Sequence, residues 1–174
     1  MNEATTAAEI IDGIIELEGQ QGYAVDGDSG GRTAWGISER AHPEAWADGP
    51  PTKQVARSIY EREYLSPWLW VPDYRLKAML VDWSVTSGVR TATRGLQSAV
   101  AAKVDGVIGP DTKRLTVAAL NAGRPVFGDV LRARAEHYMD IALNERRLRV
   151  LTATGTPLQI RFLRGWLRRV LDFV

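Results

Sequence analysis

"ELEGQQGYAVDGDSGGRTAWGIS", residues 16–38, joins the end of a helical pattern to a segment crowded with glycine and aspartate. Upstream, residues 4–18 place Ile10, Ile11, Ile14, Ile15 and Leu17 at helical spacing, with Thr5 or Thr6 available as an N-cap. A helix turns about 100° per residue, so with Ile14 at zero Glu18 falls near about 40°, inside the apolar stripe. Glu16 falls at about 200° on the same wheel and reads as a solvated acid. A carboxyl group held on a core face at a helix end loses hydration, which favours its protonated form. That is the state a general acid for glycosidic cleavage needs. The alternative is a half-exposed glutamate at a frayed end, and periodicity alone leaves the two open.

Gly19 and Gly22 end the helical pattern, and residues 22–37 are expected to hold a short hairpin. A glycosidase needs a second carboxylate across the scissile bond, and Asp26 or Asp28 supplies one on this loop. Glycines 27, 30 and 31 let the backbone bend back over the helix end. Thr33 offers a hydroxyl to hold a water, while Tyr23 and Trp35 offer flat faces either to sugar rings or to the core. A calcium loop fits worse. Counting from Asp26, Asp28 and Gly31 match positions 3 and 6, but Gly30 brings no oxygen at position 5 and Ile37 replaces the bidentate glutamate at position 12.

The remaining numbers narrow the class. The chain has 174 residues, 45% of them hydrophobic and 25% charged, enough for one domain with a real core. It has no cysteine, and its two histidines, His42 and His137, have no partner at ligand spacing. No metal and no cofactor is therefore expected. The net charge of +1 hides an asymmetry: residues 1–50 carry ten acids against two bases, whereas Arg124 onward carries ten bases against five acids. Neither a signal peptide nor a run long enough to span a membrane is visible. The basic residues match no nucleic-acid recognition motif, and no nucleic-acid partner is expected.

Further helices are expected over 52–64, 73–86, 89–101, 111–121, 126–151 and 157–172, making the chain mainly α. A boundary near Gly88 divides it into 1–90 and 91–174, with no linker composition, so the halves are expected to pack into one globule. In "VDGVIGPDT", 104–112, Asp105-Gly106 signals a turn and Pro110 starts a helix, which serves wall binding or plain scaffolding equally well. "QIRFLRGWLRRVLDFV", 159–174, puts Ile160, Leu163, Leu167, Val170 and Leu171 on one stripe, with Arg161, Arg164, Arg168 and Arg169 beside or opposite it. Such a helix closes a core, or lies on an anionic membrane.

The opening stretch resembles the Glu-Gly-Gly-Tyr…Asp-Pro-Gly-Gly-x-Thr-x-x-Gly-Ile signature of glycoside hydrolase family 108, phage and prophage N-acetylmuramidases with a lysozyme-like fold. Glu18 matches the catalytic glutamate, Gly22-Tyr23 the Gly-Tyr pair, Asp28 the second acid, Gly30-Gly31 the paired glycines, Thr33 the threonine and Gly36-Ile37 the closing pair. "DWSVTSG", 82–88, resembles the family's Asp-x-Ala-x-Asn-x-Gly helix, with Thr86 where asparagine is common. "LQSAVAAKVDGVIGPDT", 96–112, and "GWLRRV", 165–170, are similar to the predicted peptidoglycan-binding region that follows it. Gln20 and Gln21 lengthen the first turn, and Ser29 replaces the proline.

The resemblance implies a lysozyme-like α-helical fold with a small hairpin beside the active-site helix. It implies Glu18, Asp28 and Thr33 as catalytic residues, and Tyr23, Trp35, Gly36 and Thr86 as substrate contacts. The implied reaction is hydrolysis of the β-1,4 bond between N-acetylmuramic acid and N-acetylglucosamine in bacterial peptidoglycan. The implied setting is a monomeric endolysin held in the host cytoplasm until a holin admits it to the periplasm or wall. A non-catalytic wall-binding or tail-associated protein and a lytic transglycosylase on the same fold are the alternatives.

Overall fold

Helix α1 spans Glu3–Glu18 in the computed structural model, which describes residues 3–19, 32–148 and 160–173. Its stripe is buried as the periodicity requires: Ile10, Ile11, Ile14 and Ile15 are all enclosed, while Glu16 is exposed. Gly19 then takes a positive φ of 65° and donates its N–H to Ile15 O at 3.1 Å, ending the helix in the left-handed conformation that glycine adopts without strain.

The chain divides into two compact units, Met1–Leu69 and Trp70–Val174. In the first, α1 packs against α2 (Lys53–Tyr60) and the π-helical turn that continues it (Glu61–Leu65). Thr52 caps α2, its hydroxyl accepting from Val55 N–H at 3.3 Å. Arg57 ties the helices together, pairing with Asp12 of α1 and with Glu61 at 3.0 Å. A two-stranded antiparallel hairpin, β1 (Thr33–Ala34) and β2 (Ile37–Ser38), and two short 3-10 turns, Pro43–Trp46 and Ser66–Trp68, also belong to this unit. The hairpin's two-residue turn is Trp35-Gly36, with φ of 53° and 76°. Two positive φ values match the turn whose twist suits paired strands. The sequence reading located a hairpin in 22–37 from its glycine content; the strands lie at 33–38, and glycines 27, 30 and 31 lie outside the described residues.

The regular elements in the described part of the second unit are all helices. Helix α3 (Tyr74–Ser87) begins at Asp73, whose carboxylate accepts from Leu76 N–H at 2.7 Å. It is buried nearly all round, from Leu76 through Ser84, as expected of a helix surrounded by others. It packs on α4 (Val89–Ala99) and α6 (Val126–Leu148), and α6 carries α5 (Pro110–Asn121) and α7 (Ile160–Leu171). Gly95 is where α4 meets the Trp83 ring: a methyl group there would sit 2.3 Å from the indole. Among the described residues, no helix is long and apolar enough to cross a membrane.

A buried ionic network joins three of these helices. Arg134, wholly enclosed on α6, donates to Asp82 of α3 at 2.5 Å and to the Tyr138 hydroxyl at 3.2 Å. Arg169 of α7 donates to the other Asp82 oxygen at 2.9 Å. Trp166 stacks on Tyr138 with ring centroids 5.0 Å apart. These contacts rotate the buried face of α7 away from the expected stripe, of which Val170 stays buried. Trp166, Arg169 and Val170 turn inward, while Leu167 and Leu171 are 38% and 67% exposed. The reason is electrostatic: a buried carboxylate and a buried guanidinium demand partners more strongly than two leucines demand cover. Asp82→Asn leaves two guanidinium groups short of their counter-charge, and about 3–5 kcal/mol of stability should be lost. Urea unfolding monitored by tryptophan fluorescence reads this; a loss under 1 kcal/mol would show that the network is incidental.

Candidate active site

Three elements of the first unit meet around the last residue of α1. Glu18 is half-buried there, one residue before the glycine that turns the chain. The hairpin turn lies directly against its stem. A methyl group built on Gly36 would sit 2.8 Å from Glu18 Cγ and 3.2 Å from its Cβ. The same methyl would lie 2.1 Å from the hydroxyl oxygen of Tyr60, the final residue of α2. Tyr60 is buried and donates its hydroxyl proton to Trp35 O at 2.9 Å, fastening the turn to the helix. Only glycine satisfies both the close approach and the left-handed backbone at position 36.

Around this contact the hairpin is braced on several sides. Arg32 and Glu39 form a two-pronged ion pair across its open end, at 2.8 and 2.6 Å. Trp46 donates its indole N–H to Ile37 O at 3.3 Å, and Ala34 and Ile37 are buried beneath the strands. Trp35 is half-buried, with the Lys53 ammonium 5.9 Å from its ring centroid. Tyr64, in the π-helical turn, packs 5.7 Å from Tyr60; burial, aided by the charge of Glu63, raises its phenol above the usual tyrosine range and keeps it a neutral donor.

The residues expected at the site are distributed as follows. Glu18, Gly36 and Trp35 come together at the turn, and Thr33 lies half-buried on β1, opposite Ser38 in register. Asp28, Asp26 and Tyr23 lie outside the described residues. Thr86 belongs to the second unit, where its hydroxyl is held at 2.7 Å from the Tyr138 hydroxyl and within 3.3 Å of the Asp82 and Trp83 carbonyl oxygens. The "DWSVTSG" helix is thus tied into the buried network at both Asp82 and Thr86. Tyr60 was not singled out from sequence as a site residue, because its spacing reads as one more core position of α2.

Residues 11–88 match the family model described as Glycosyl hydrolase 108. The N-terminal region belongs to glycosyl hydrolase family 108. Residues 90–171 match a second model, described as a Predicted Peptidoglycan domain, so the two together account for nearly the whole chain. The fold agrees with that of a solved structure of SagA from Brucella abortus, at a TM-score of 0.72 and 23% identity, covering 98% of this chain and 92% of that one. No curated protein matches the chain. The family 108 match runs on to residue 88, past the end of the first compact unit at Leu69, so α3 belongs to the glycosyl hydrolase sequence yet packs within the second unit. The chain is a glycoside hydrolase that acts on peptidoglycan, and its mainly α fold is lysozyme-like.

The second match gives "LQSAVAAKVDGVIGPDT" a physical account. Gln97, buried on α4, uses its whole amide to fold the loop after it. The nitrogen donates to Asp105, Val107 O and Thr112, and the oxygen accepts from the N–H groups of Asp105 and Gly106, all within 2.8–3.1 Å. Gly106, with φ of 77°, lies where a methyl would meet Arg90 at 2.6 Å. Gln97, Asp105, Gly106 and Thr112 thereby hold the shape of this loop.

Proposed function

We propose that the protein is an N-acetylmuramidase that cleaves the β-1,4 bond between N-acetylmuramic acid and N-acetylglucosamine. Glu18, seated between a helix end and the hairpin turn, supports this reading most directly. Its carboxyl group donates a proton to the glycosidic oxygen, the bond to the anomeric carbon breaks, and positive charge develops at that carbon. Asp28, ionised, stabilises that charge or orients the attacking water with the help of Thr33. Water's oxygen becomes the new hydroxyl at the anomeric carbon. The proton it releases passes to a carboxylate, and the leaving sugar departs with the proton from Glu18. Trp35 and Tyr23 offer ring faces to neighbouring sugars.

Mass spectrometry of digested sacculi tests the bond and the reaction together. A muramidase leaves reducing N-acetylmuramic acid ends. Predominantly 1,6-anhydro ends would identify a lytic transglycosylase instead, and sacculi bound without release of any ends would identify a wall-binding protein.

The biological setting we propose is that of a monomeric phage endolysin, stored in the host cytoplasm and admitted to the wall by a holin. Expression in host cells with and without a membrane-permeabilising partner tests it: lysis without that partner would rule out the storage step. The exposed Leu167 and Leu171 of α7, beside Arg164 and Arg168, support contact with an anionic membrane on arrival. Sedimentation with phosphatidylglycerol vesicles should fall severalfold for Leu167→Glu, and equal binding to neutral vesicles would sink the idea.

A further inference from the structure

Helix α5 has two unlike faces. Thr112, Thr116 and Ala119 are buried against the rest of the second unit. On the other side Lys113, Val117 and Asn121 follow one another at one-turn spacing, with Arg114 and Ala118 alongside. That outward face is the floor of an open groove of about 510 Å³, and Trp70 forms its wall. The small Val117 and Ala118 side chains leave the indole accessible from the groove, and the Lys113 ammonium hangs over it, 5.7 Å from the ring centroid.

We infer that this groove is the wall-binding site of the second unit, taking a peptidoglycan strand with one sugar ring against Trp70 and a stem-peptide carboxylate on Lys113. The inference rests on peptidoglycan being the substrate, but not on which bond is cut. Three features carry it. An indole flanked by small side chains offers the flat apolar surface that the hydrogen-bearing face of a pyranose prefers. The groove's cations complement an acidic ligand: Lys113 and Arg114 line it, and Arg114 is shared with Asp111 at 3.0 Å, which leaves Lys113 as the cation poised at the ring. Asn121 adds an amide able both to donate to and to accept from an acetamido group. Peptidoglycan alternates acetamido sugars with acidic peptides, so one ligand satisfies all three.

The test uses the full chain carrying Glu18→Gln, co-sedimented with purified sacculi on ice. In that background Trp70→Ala should weaken binding by about tenfold, as loss of a central aromatic contact does. Lys113→Glu, an exchange at an exposed position of α5 that should leave the fold intact, should weaken it by about two- to fivefold or more. Sacculi whose stem carboxylates have been amidated should bind the parent as weakly as native sacculi bind Lys113→Glu. Lys103→Glu, which makes the same charge change outside the groove, should bind like the parent. Parent-like binding by Lys113→Glu, undiminished binding to amidated sacculi, or failure of the parent to bind would each overturn the proposal. Digestion products report on the glycosidase reading separately, so either can fail without the other.

Discussion

Glu18→Gln should leave a folded protein that hydrolyses purified cell walls at least about a hundredfold more slowly, the usual contribution of a general acid being about 10²- to 10⁴-fold. The substitution keeps the side chain's shape, so the contact with Gly36 survives. Only the transferable proton is lost. Glu16, one residue away from the stripe and exposed, is the natural control: Glu16→Gln changes the same charge on the same helix and should leave the rate unchanged. Rates are read as reducing ends released from sacculi, beside circular dichroism to confirm the fold. A Glu18→Gln enzyme retaining more than a tenth of the parent rate would remove Glu18 from the chemistry.

Gly36→Ala attacks the same site from the opposite side. The added methyl cannot be accommodated in place, lying 2.1 Å from the Tyr60 hydroxyl and 2.8 Å from Glu18 Cγ. Position 36 also holds φ at 76°, which costs a residue with a side chain about 1–2 kcal/mol. Relief of the overlap costs a further 1–3 kcal/mol, roughly, through displaced side chains. A total loss of about 2–5 kcal/mol is expected. The turn must move, and it moves away from Glu18 or pushes it. Displacements on the order of 1 Å at a catalytic group cost about a hundredfold in rate, so activity should fall further than stability explains. Gly13 on α1 provides the contrast, since a methyl there meets nothing within 4 Å; Gly13→Ala should be neutral or stabilising by about 0.5–1 kcal/mol. Thermal unfolding and wall hydrolysis measured on both variants decide the matter. Wild-type activity in Gly36→Ala would separate the hairpin turn from the active site.

Much of the site's geometry follows from local pattern. Ile10, Ile11, Ile14 and Ile15 set the buried face of α1, and that placed Glu18 at the boundary of the core while Glu16 faced water. The caps at Thr52 and Asp73 and the helix start at Pro110 are where short-range chemistry puts them, because a hydroxyl or carboxylate reaches only the amide a turn ahead. The hairpin was legible as a region but not as a turn: with so many glycines nearby, nothing local ranks Trp35-Gly36 above the others.

The contacts across long sequence separations were not legible. Tyr60 reaches back 25 residues to hold Trp35 O, and Gln97 folds a loop that reads as generic turn chemistry. Arg134 sits on the apolar stripe of α6, between Val130 and Tyr138, where periodicity counts it as a misplaced charge. Its burial makes sense only beside Asp82, 52 residues earlier, and that pair in turn draws in Arg169 and rotates α7 away from the face its leucines suggest. Local sequence determined which segments are helices, where they begin and which acid stands at the core's edge, since those follow from periodicity and capping within a turn or two. The tertiary structure alone decided which groups close on that acid and which face of the last helix turns inward, because a buried charge takes its partner from wherever the fold brings one.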